Sequence, residues 1–270
     1  MPADDFAPGT VWLVGAGPGD PELLTRRAER LLRSATIVFY DALVGPGVLD
    51  LIPEGVVRVS VGKRSGRHSR DQATIDQLLV RAAEDGERVV RLKGGDPAMF
   101  GRLAEEMAAL TAAGITARIC PGITAASAAA AAAGISLSLR GLARRVQFVT
   151  AHAARGETID LEWRTLADSR STLAFYMGRA AAPDIVRGLT SHGLAGSTPV
   201  LIACDVSLPT ERLLRTRLDL LTLAVEAISD DRPTMILIGD AIIDADQGVA
   251  TARKIAVGAG DAAFGSGTRS

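Results

Sequence analysis

The chain has 270 residues, of which 47% are hydrophobic and 23% charged, enough to bury the cores of two domains. Its 30 basic and 31 acidic residues give a net charge of −1, which excludes the overall basic field that holds nucleic acid. The two cysteines, Cys120 and Cys204, form no CxxC pair, and the three histidines lack metal-ligand spacing, so we expect no metal site.

The N-terminal segment, MPADDFAP, is acidic and contains no apolar stretch, so it does not resemble a signal peptide. No apolar run elsewhere approaches the ~20 residues that cross a bilayer. We therefore expect no membrane association and a cytoplasmic location.

The first half of the chain alternates short β-rich segments with helical ones. VWLVG, TIVFYD and VVRVSVG predict strands, and we expect helices over about 22–33 and from Ser69, where Gln72 completes a capping box. RVVRLKGGDP predicts a strand and turn, followed by a helix over about 102–113 and a last strand, TARIC. This alternation of strands and helices predicts parallel pairing of the strands through right-handed crossovers.

An almost pure alanine segment, 125–134, favours a helix and precedes a second set of strand segments, VQFVTAH, STLAFYM, PVLIACD, ERLLRTR and TMILIGD. We therefore predict an α/β fold of two domains, over residues 10–141 and 142–244, with the boundary near Gly141. Residues 245–270 are rich in Gly, Ala, Ser and Thr and are expected to form a flexible tail.

The first glycine-rich turn, GAGPGDP, follows the first predicted strand and could bring backbone amides close to a dinucleotide. Pro18 and Pro21 argue against that reading, because proline imposes a rigid turn and lacks an amide donor. The acid expected about 20 residues later is ambiguous, since Asp41 lies in a different local pattern. A purely structural turn is the leading alternative.

The second turn, KGGDPAMFG, is the stronger candidate for a ligand site, because it follows a strand at the end where open α/β sheets bind ligands. Asp96 could accept hydrogen bonds from a ribose or an amino group, and Met99 and Phe100 could form an apolar wall. In the alternative, the segment is an ordinary strand-to-helix turn in which Asp96 binds backbone amides. PGITA, after another predicted strand, favours the ligand site.

The segments GAGPGDPELLT, FYDALV, VGKR, RLKGGDPAMFGR and PGITAASAAAAAAGI resemble, in order and spacing, those of the tetrapyrrole methylase family, from about Thr10 to Asp240. The resemblance implies a homodimer of chains with two α/β domains and a cleft between them, unlike a Rossmann methyltransferase. It implies S-adenosylmethionine as cofactor, with S-adenosylhomocysteine as product. The implied substrate is uroporphyrinogen III, methylated at C2 and C7 to give precorrin-2.

The resemblance also implies which residues contact the cofactor: Pro18, Gly94, Gly95, Asp96, Met99, Thr124 and Ala125 from the first domain, and Met177 and Val206 from the second. The chain departs from the family's pattern at CDVS, where ENAT or ENGT is common. It departs again around Arg140, where the family often has His-Arg-Asp.

Methyl transfer from a sulfonium to a pyrrole carbon is an in-line displacement that depends mainly on alignment. A base must then remove a proton. The resemblance assigns this role to Asp41 and a proton-donor role to Lys63. The residues alone favour a turn-capping aspartate and a solvated surface lysine instead.

Uroporphyrinogen is a polycarboxylate, so its binding needs a local basic lining. Two clusters could provide it, one of Lys63, Arg64, Arg67, His68 and Arg70, the other of Arg140, Arg144 and Arg145. We assign Arg102, Glu105 and Arg140 to substrate binding. Arg102 also counts among the catalytic residues through a substrate-positioning role, with Glu105 on the same helical face.

Three alternatives remain open at this point. A later methylase of the corrin pathway would share the cofactor site but accept a different macrocycle. An NAD-dependent oxidoreductase would require the first glycine turn to be a dinucleotide site. A noncatalytic interaction protein would give no reason for several ligand-type turns at strand ends.

Overall fold

The computed structural model describes residues 6–62, 72–152 and 160–243, which form two compact α/β units. The first unit extends to Ala128 and includes Ser207–Pro209, and the second contains the rest of the chain from Ala129. The division lies inside the alanine-rich helix and ahead of Gly141, where we placed the boundary. The side chains on both sides of this division are alanines, so no change of polarity marks the domain boundary in the sequence.

The first unit contains a parallel sheet of five strands in the order β3-β2-β4-β1-β5. Its strands are β1 (Val11–Gly15), β2 (Ile37–Tyr40), β3 (Val57–Ser60), β4 (Val89–Lys93) and β5 (Ala117–Cys120). Every residue of β1 and β4 is buried, as expected for central strands covered on both faces. The predicted parallel pairing is confirmed, and the carboxyl ends of all five strands lie at one edge.

The α-helices described for this unit are α1 (Arg26–Ser34), α2 (Pro46–Asp50), α3 (Gln72–Glu84) and α4 (Leu103–Ala112), and α5 (Ala125–Ala132) continues into the second unit. The predicted start of the first helix near Glu22 is wrong, because Asp20 caps a separate 3₁₀ turn and Thr25 caps α1. The helix predicted over about 102–113 is confirmed as α4. The capping box at Ser69 lies outside the described residues.

The second unit contains a mixed sheet in the order β6-β7-β10-β8-β9. All five predicted segments form strands: β6 (Arg145–Thr150), β7 (Ser171–Tyr176), β8 (Pro199–Cys204), β9 (Arg212–Arg217) and β10 (Thr234–Ile238). The accompanying helices are α6 (Trp163–Leu166), α7 (Ala182–Ser191) and α8 (Leu221–Ile228). Since β10 is antiparallel to both β7 and β8, these two strands point the same way and end at the same edge.

In the part of the chain that the structure describes, none of the helices combines the length and the apolar character needed to cross a membrane.

Candidate functional site

Three loops join at the carboxyl edge of the first sheet, after β1, β4 and β5. Gly17 and Gly95 exchange two backbone hydrogen bonds, with N–O distances of 3.1 and 2.7 Å. Asp96 links the second loop to the third, because its Oδ2 accepts a hydrogen bond from the amide of Gly122 at 2.9 Å. The two glycine turns and the PGITA segment therefore form one backbone assembly at the edge where open α/β sheets bind ligands.

Glycine is required where these loops touch. A Cβ added at Gly15 would lie 2.6 Å from the backbone nitrogen of Gly122 and 2.7 Å from the carbonyl oxygen of Gly95. At Gly95 the constraint is the backbone, with a φ of 68°, whereas the nearest atom to an added Cβ would be the Ile123 oxygen at 4.0 Å. The assembly is thus closed at Gly15 and open at Gly95, where a ligand could approach the backbone.

Asp96 has a structural role in this assembly. Its Oδ1 accepts from the amide of Ala98 at 2.8 Å, in addition to the bond from Gly122 to Oδ2. The alternative interpretation of Asp96, as a residue that binds backbone amides, is therefore observed. Any contact with a cofactor would be made by a carboxylate that these two bonds already orient.

The other first-unit residues predicted to contact the cofactor lie on the same three loops. Pro18 and Met99 are partly buried. Thr124 caps α5, since its Oγ1 accepts a hydrogen bond from the amide of Ser127 at 3.2 Å, and Ala125 is the first residue of that helix. The structure brings these positions to one sheet edge, and their contact with a cofactor remains a prediction.

Asp41, directly after β2, belongs to a buried charge cluster that we did not predict. Arg91 donates from Nη2 to Oδ1 of Asp41 at 2.6 Å and from Nε to Oε1 of Glu106 at 2.9 Å. Lys93 donates from Nζ to both carboxylate oxygens of Glu106, at 2.9 and 2.8 Å. The side chains of Arg91, Lys93 and Glu106 are 3%, 5% and 0% exposed, and that of Asp41 is 27% exposed.

The cluster pairs two cations with two carboxylates. Burial alone would lower the pKa of Arg91, but the charges and hydrogen bonds of Asp41 and Glu106 outweigh it and raise that pKa. Burial, together with the nearby charge of Arg91, lowers the pKa of Lys93 although Glu106 opposes the change. A signal for this cluster is present in the sequence, because Arg91 and Lys93 interrupt a strand that is otherwise apolar.

Arg102 and Glu105 form the contact that their spacing predicted. The guanidinium donates from Nε to Oε1 of Glu105 at 2.8 Å, and Nη2 bonds the second oxygen. Both side chains are at least half exposed, and the hydrogen bond from Arg102 is the main cause of the lowered pKa of Glu105. Arg102 occupies the N-cap position of α4, without a capping hydrogen bond from its side chain, and has a left-handed φ of 55° that non-glycine residues rarely adopt. Its substrate-positioning role remains a prediction.

Met177 and Val206 lie in the second unit, after β7 and β8, and therefore at the same edge of that sheet. Met177 is 48% exposed, whereas the side chain of Val206 is buried, with 6% exposure, so a contact by Val206 would involve its backbone. Met177 and Asp205, two non-glycine residues at this edge, have left-handed φ angles of 54° and 48°. Such conformations cost free energy and cluster at functional sites.

Arg140 and Arg144 line a recess of about 360 Å³ in the second unit, with Ser138, Leu139 and Ala143. The tight turn beneath them is closed by two backbone hydrogen bonds between Leu139 and Ala143. Arg145 instead forms an ion pair with Asp168. The other predicted basic cluster, together with the candidate proton donor Lys63, lies outside the described residues.

The sequence of the chain matches the family model of the tetrapyrrole (corrin/porphyrin) methylases over residues 10–222. Siroheme synthase of Hahella chejuensis is 45% identical over 234 residues, which cover 87% of this chain and 50% of that protein. The chain thus spans about half the length of the curated relatives it matches.

Two solved structures resemble the fold closely. One is a uroporphyrin-III C-methyl transferase from Thermus thermophilus complexed with S-adenosyl homocysteine, with 37% identity and a TM-score of 0.73 over 86% of this chain and 98% of that one. The other is a cobalt precorrin-4 methyltransferase, with 28% identity and a TM-score of 0.78 over 90% of this chain and 99% of that one.

Proposed function

Because this chain belongs to the tetrapyrrole methylase family, we propose that it transfers methyl groups from S-adenosylmethionine to C2 and C7 of uroporphyrinogen III. The observation that carries this proposal is the three-loop backbone assembly, open at Gly95, at the carboxyl edge of the first sheet. The Thermus thermophilus relative, complexed with S-adenosyl homocysteine, supports the choice of cofactor.

The residues of this edge fit the cofactor. The backbone at Gly95 is open to a ligand, and Asp96 presents a carboxylate that the loops hold in place. The cofactor supplies an electrophilic methyl group carried on a sulfonium. The first unit would hold it through Pro18, Gly94, Gly95, Asp96, Met99, Thr124 and Ala125, and the second unit would add Met177 and Val206.

The chain's own residues would align the macrocycle and remove a proton. In this proposal Asp41 is the base that accepts the proton which the cationic ring system loses after each methyl transfer. Arg91 donates a hydrogen bond to Oδ1 of Asp41. No donor among residues 6–62, 72–152 and 160–243 bonds Oδ2, which is the oxygen that would accept the proton. Arg102 and Arg140 would bind substrate carboxylates, which a guanidinium recognises through two parallel hydrogen bonds.

We expect calorimetric titration to show binding of S-adenosylhomocysteine and no binding of NAD. Binding of NAD without binding of S-adenosylhomocysteine would overturn the proposal in favour of an oxidoreductase.

Gly95→Leu is expected to weaken S-adenosylhomocysteine binding at least about tenfold, because the new side chain would occupy the open space beside the backbone. Gly114→Leu is the matched control. Gly114 has a similar φ of 71° and nothing within 4 Å of an added Cβ, so both variants carry the same backbone strain. Calorimetry on the two folded variants measures the difference, and equal affinities would remove Gly95 from the cofactor site.

Arg140→Leu is expected to raise the KM for uroporphyrinogen III roughly tenfold and to leave the KM for S-adenosylmethionine nearly unchanged, because a charge-assisted hydrogen bond to a carboxylate is lost. Steady-state kinetics with each substrate varied in turn measure both constants. Arg164→Leu, an exposed position that does not line the recess, is the control. A parallel rise in both constants would show that Arg140 supports the fold or the cofactor site instead.

A later corrin-pathway methylase is the second candidate, supported by the likeness to the cobalt precorrin-4 methyltransferase. It would use the same cofactor but reject uroporphyrinogen III.

A further inference from the structure

In the charge cluster, Arg91 connects a buried carboxylate to a partly exposed one. The guanidinium of Arg91 bridges Glu106, which is 0% exposed, and Asp41, which is 27% exposed. Its third group, Nη1, donates to the carbonyl of Leu92 at 3.2 Å. With contacts on Nε, Nη1 and Nη2, the plane of the guanidinium is held in one orientation, and so is the Asp41 oxygen it contacts.

Glu106 fixes this arrangement from α4. It accepts hydrogen bonds from Lys93 on the same strand as Arg91, and Gln72 of α3 approaches its Oε1 at 3.4 Å. The carboxylate is therefore surrounded by donors from β4 and α3. Glu106 thus joins α4, whose N-cap position is Arg102, to β4, whose Arg91 contacts Asp41.

Stability alone does not account for four charges at this place. Taking ions out of water is costly, and a well-packed apolar replacement is often as stable as a buried ion pair or more so. An apolar cluster could join β4 to α4 equally well, but it could not hold a carboxylate that reaches the surface.

We propose that Arg91 is a positioning residue that sets the location of the Asp41 carboxylate for proton removal, and that Glu106 holds Arg91 in place. This inference rests on the proposed function, in which Asp41 is the base. Arg91 itself, 3% exposed, would act only through Asp41.

The test is a double-mutant cycle on kcat with Arg91→Lys and Asp41→Asn, measured with uroporphyrinogen III and saturating S-adenosylmethionine. Lysine keeps the positive charge but cannot bridge two carboxylates with a planar fork. We expect Arg91→Lys to lower kcat roughly tenfold in the wild-type background and less than about twofold in the Asp41→Asn background, with unchanged affinity for S-adenosylhomocysteine. Arg33→Lys, at an exposed ion pair with Glu29, is the control and should leave kcat unchanged.

An equal fall in both backgrounds would overturn the inference, because a merely structural role acts whether or not Asp41 is a carboxylate. The proposed function would survive that result, since the wild-type enzyme would still methylate uroporphyrinogen III. A wild-type rate in Asp41→Asn would overturn both the base assignment and this inference. If Arg91→Lys fails to fold, Glu106→Gln replaces it in the cycle, with the same expectation that its effect on kcat depends on Asp41.

Discussion

Asp41→Asn is expected to lower kcat by roughly 100-fold or more while the affinity for S-adenosylmethionine changes little. Asparagine has nearly the same size as aspartate but lacks a carboxylate that can accept the proton, and loss of a general base costs about two orders of magnitude or more. The bond from Arg91 can still be made to an amide oxygen, so the shape of the site is retained.

Single-turnover methylation with pre-bound cofactor measures this effect separately from product release. Asp50→Asn, an exposed position on α2, carries the same substitution and should retain the wild-type rate. A wild-type rate for Asp41→Asn would eliminate Asp41 as the base and make Lys63 or a bound water the next candidate.

Glu106→Gln is expected to lower the free energy of unfolding by about 3–5 kcal/mol, because it removes the charge of a fully buried carboxylate that pairs with Arg91 and Lys93. The variant keeps the shape of the side chain. It leaves the two buried cations, Arg91 and Lys93, with Asp41 as the one remaining carboxylate of the cluster. The cost is therefore that of an uncompensated buried positive charge.

Urea unfolding followed by circular dichroism measures this loss against Glu29→Gln. Glu29 pairs with Arg33 at 2.6 Å on the exposed face of α1, where an ion pair contributes ~0–1 kcal/mol. A Glu106→Gln variant as stable as Glu29→Gln would show that the cluster is solvated or that the lysine has lost its charge in the folded protein.

The family and the fold class could be predicted from the sequence and are confirmed. Short β-rich segments predict each of the ten strands found in the described residues. The start of α1 was predicted wrongly because Asp20-Pro21 looks like a helix start, whereas Thr25, a better cap for the apolar stripe that follows, begins the helix.

The candidate site could be predicted only in part. The backbone hydrogen bonds between Gly17 and Gly95, and the bond from Gly122 to Asp96, join segments far apart in sequence, and the order of the motifs does not reveal these contacts. Glu106 was missed for a related reason. On a helix a glutamate normally faces solvent, and only the tertiary pairing with Arg91 and Lys93 explains its complete burial.

The division of the chain into units could not be located from composition. Ala128 and Ala129 are chemically identical neighbours on one helix, and the side chains of both are buried. Ser207–Pro209 joins the first unit through contacts such as the hydrogen bond from the amide of Asp20 to Oγ of Ser207, at 3.0 Å, between residues distant in sequence.

The most direct test of the proposed function is incubation of the purified chain with uroporphyrinogen III and S-adenosylmethionine, followed by mass spectrometry of the macrocycle. We expect the mass of two added methyl groups, located at C2 and C7, with two equivalents of S-adenosylhomocysteine released for each product. An unmethylated macrocycle in the presence of a cofactor that binds would contradict the assignment of this substrate and favour a later corrin-pathway intermediate.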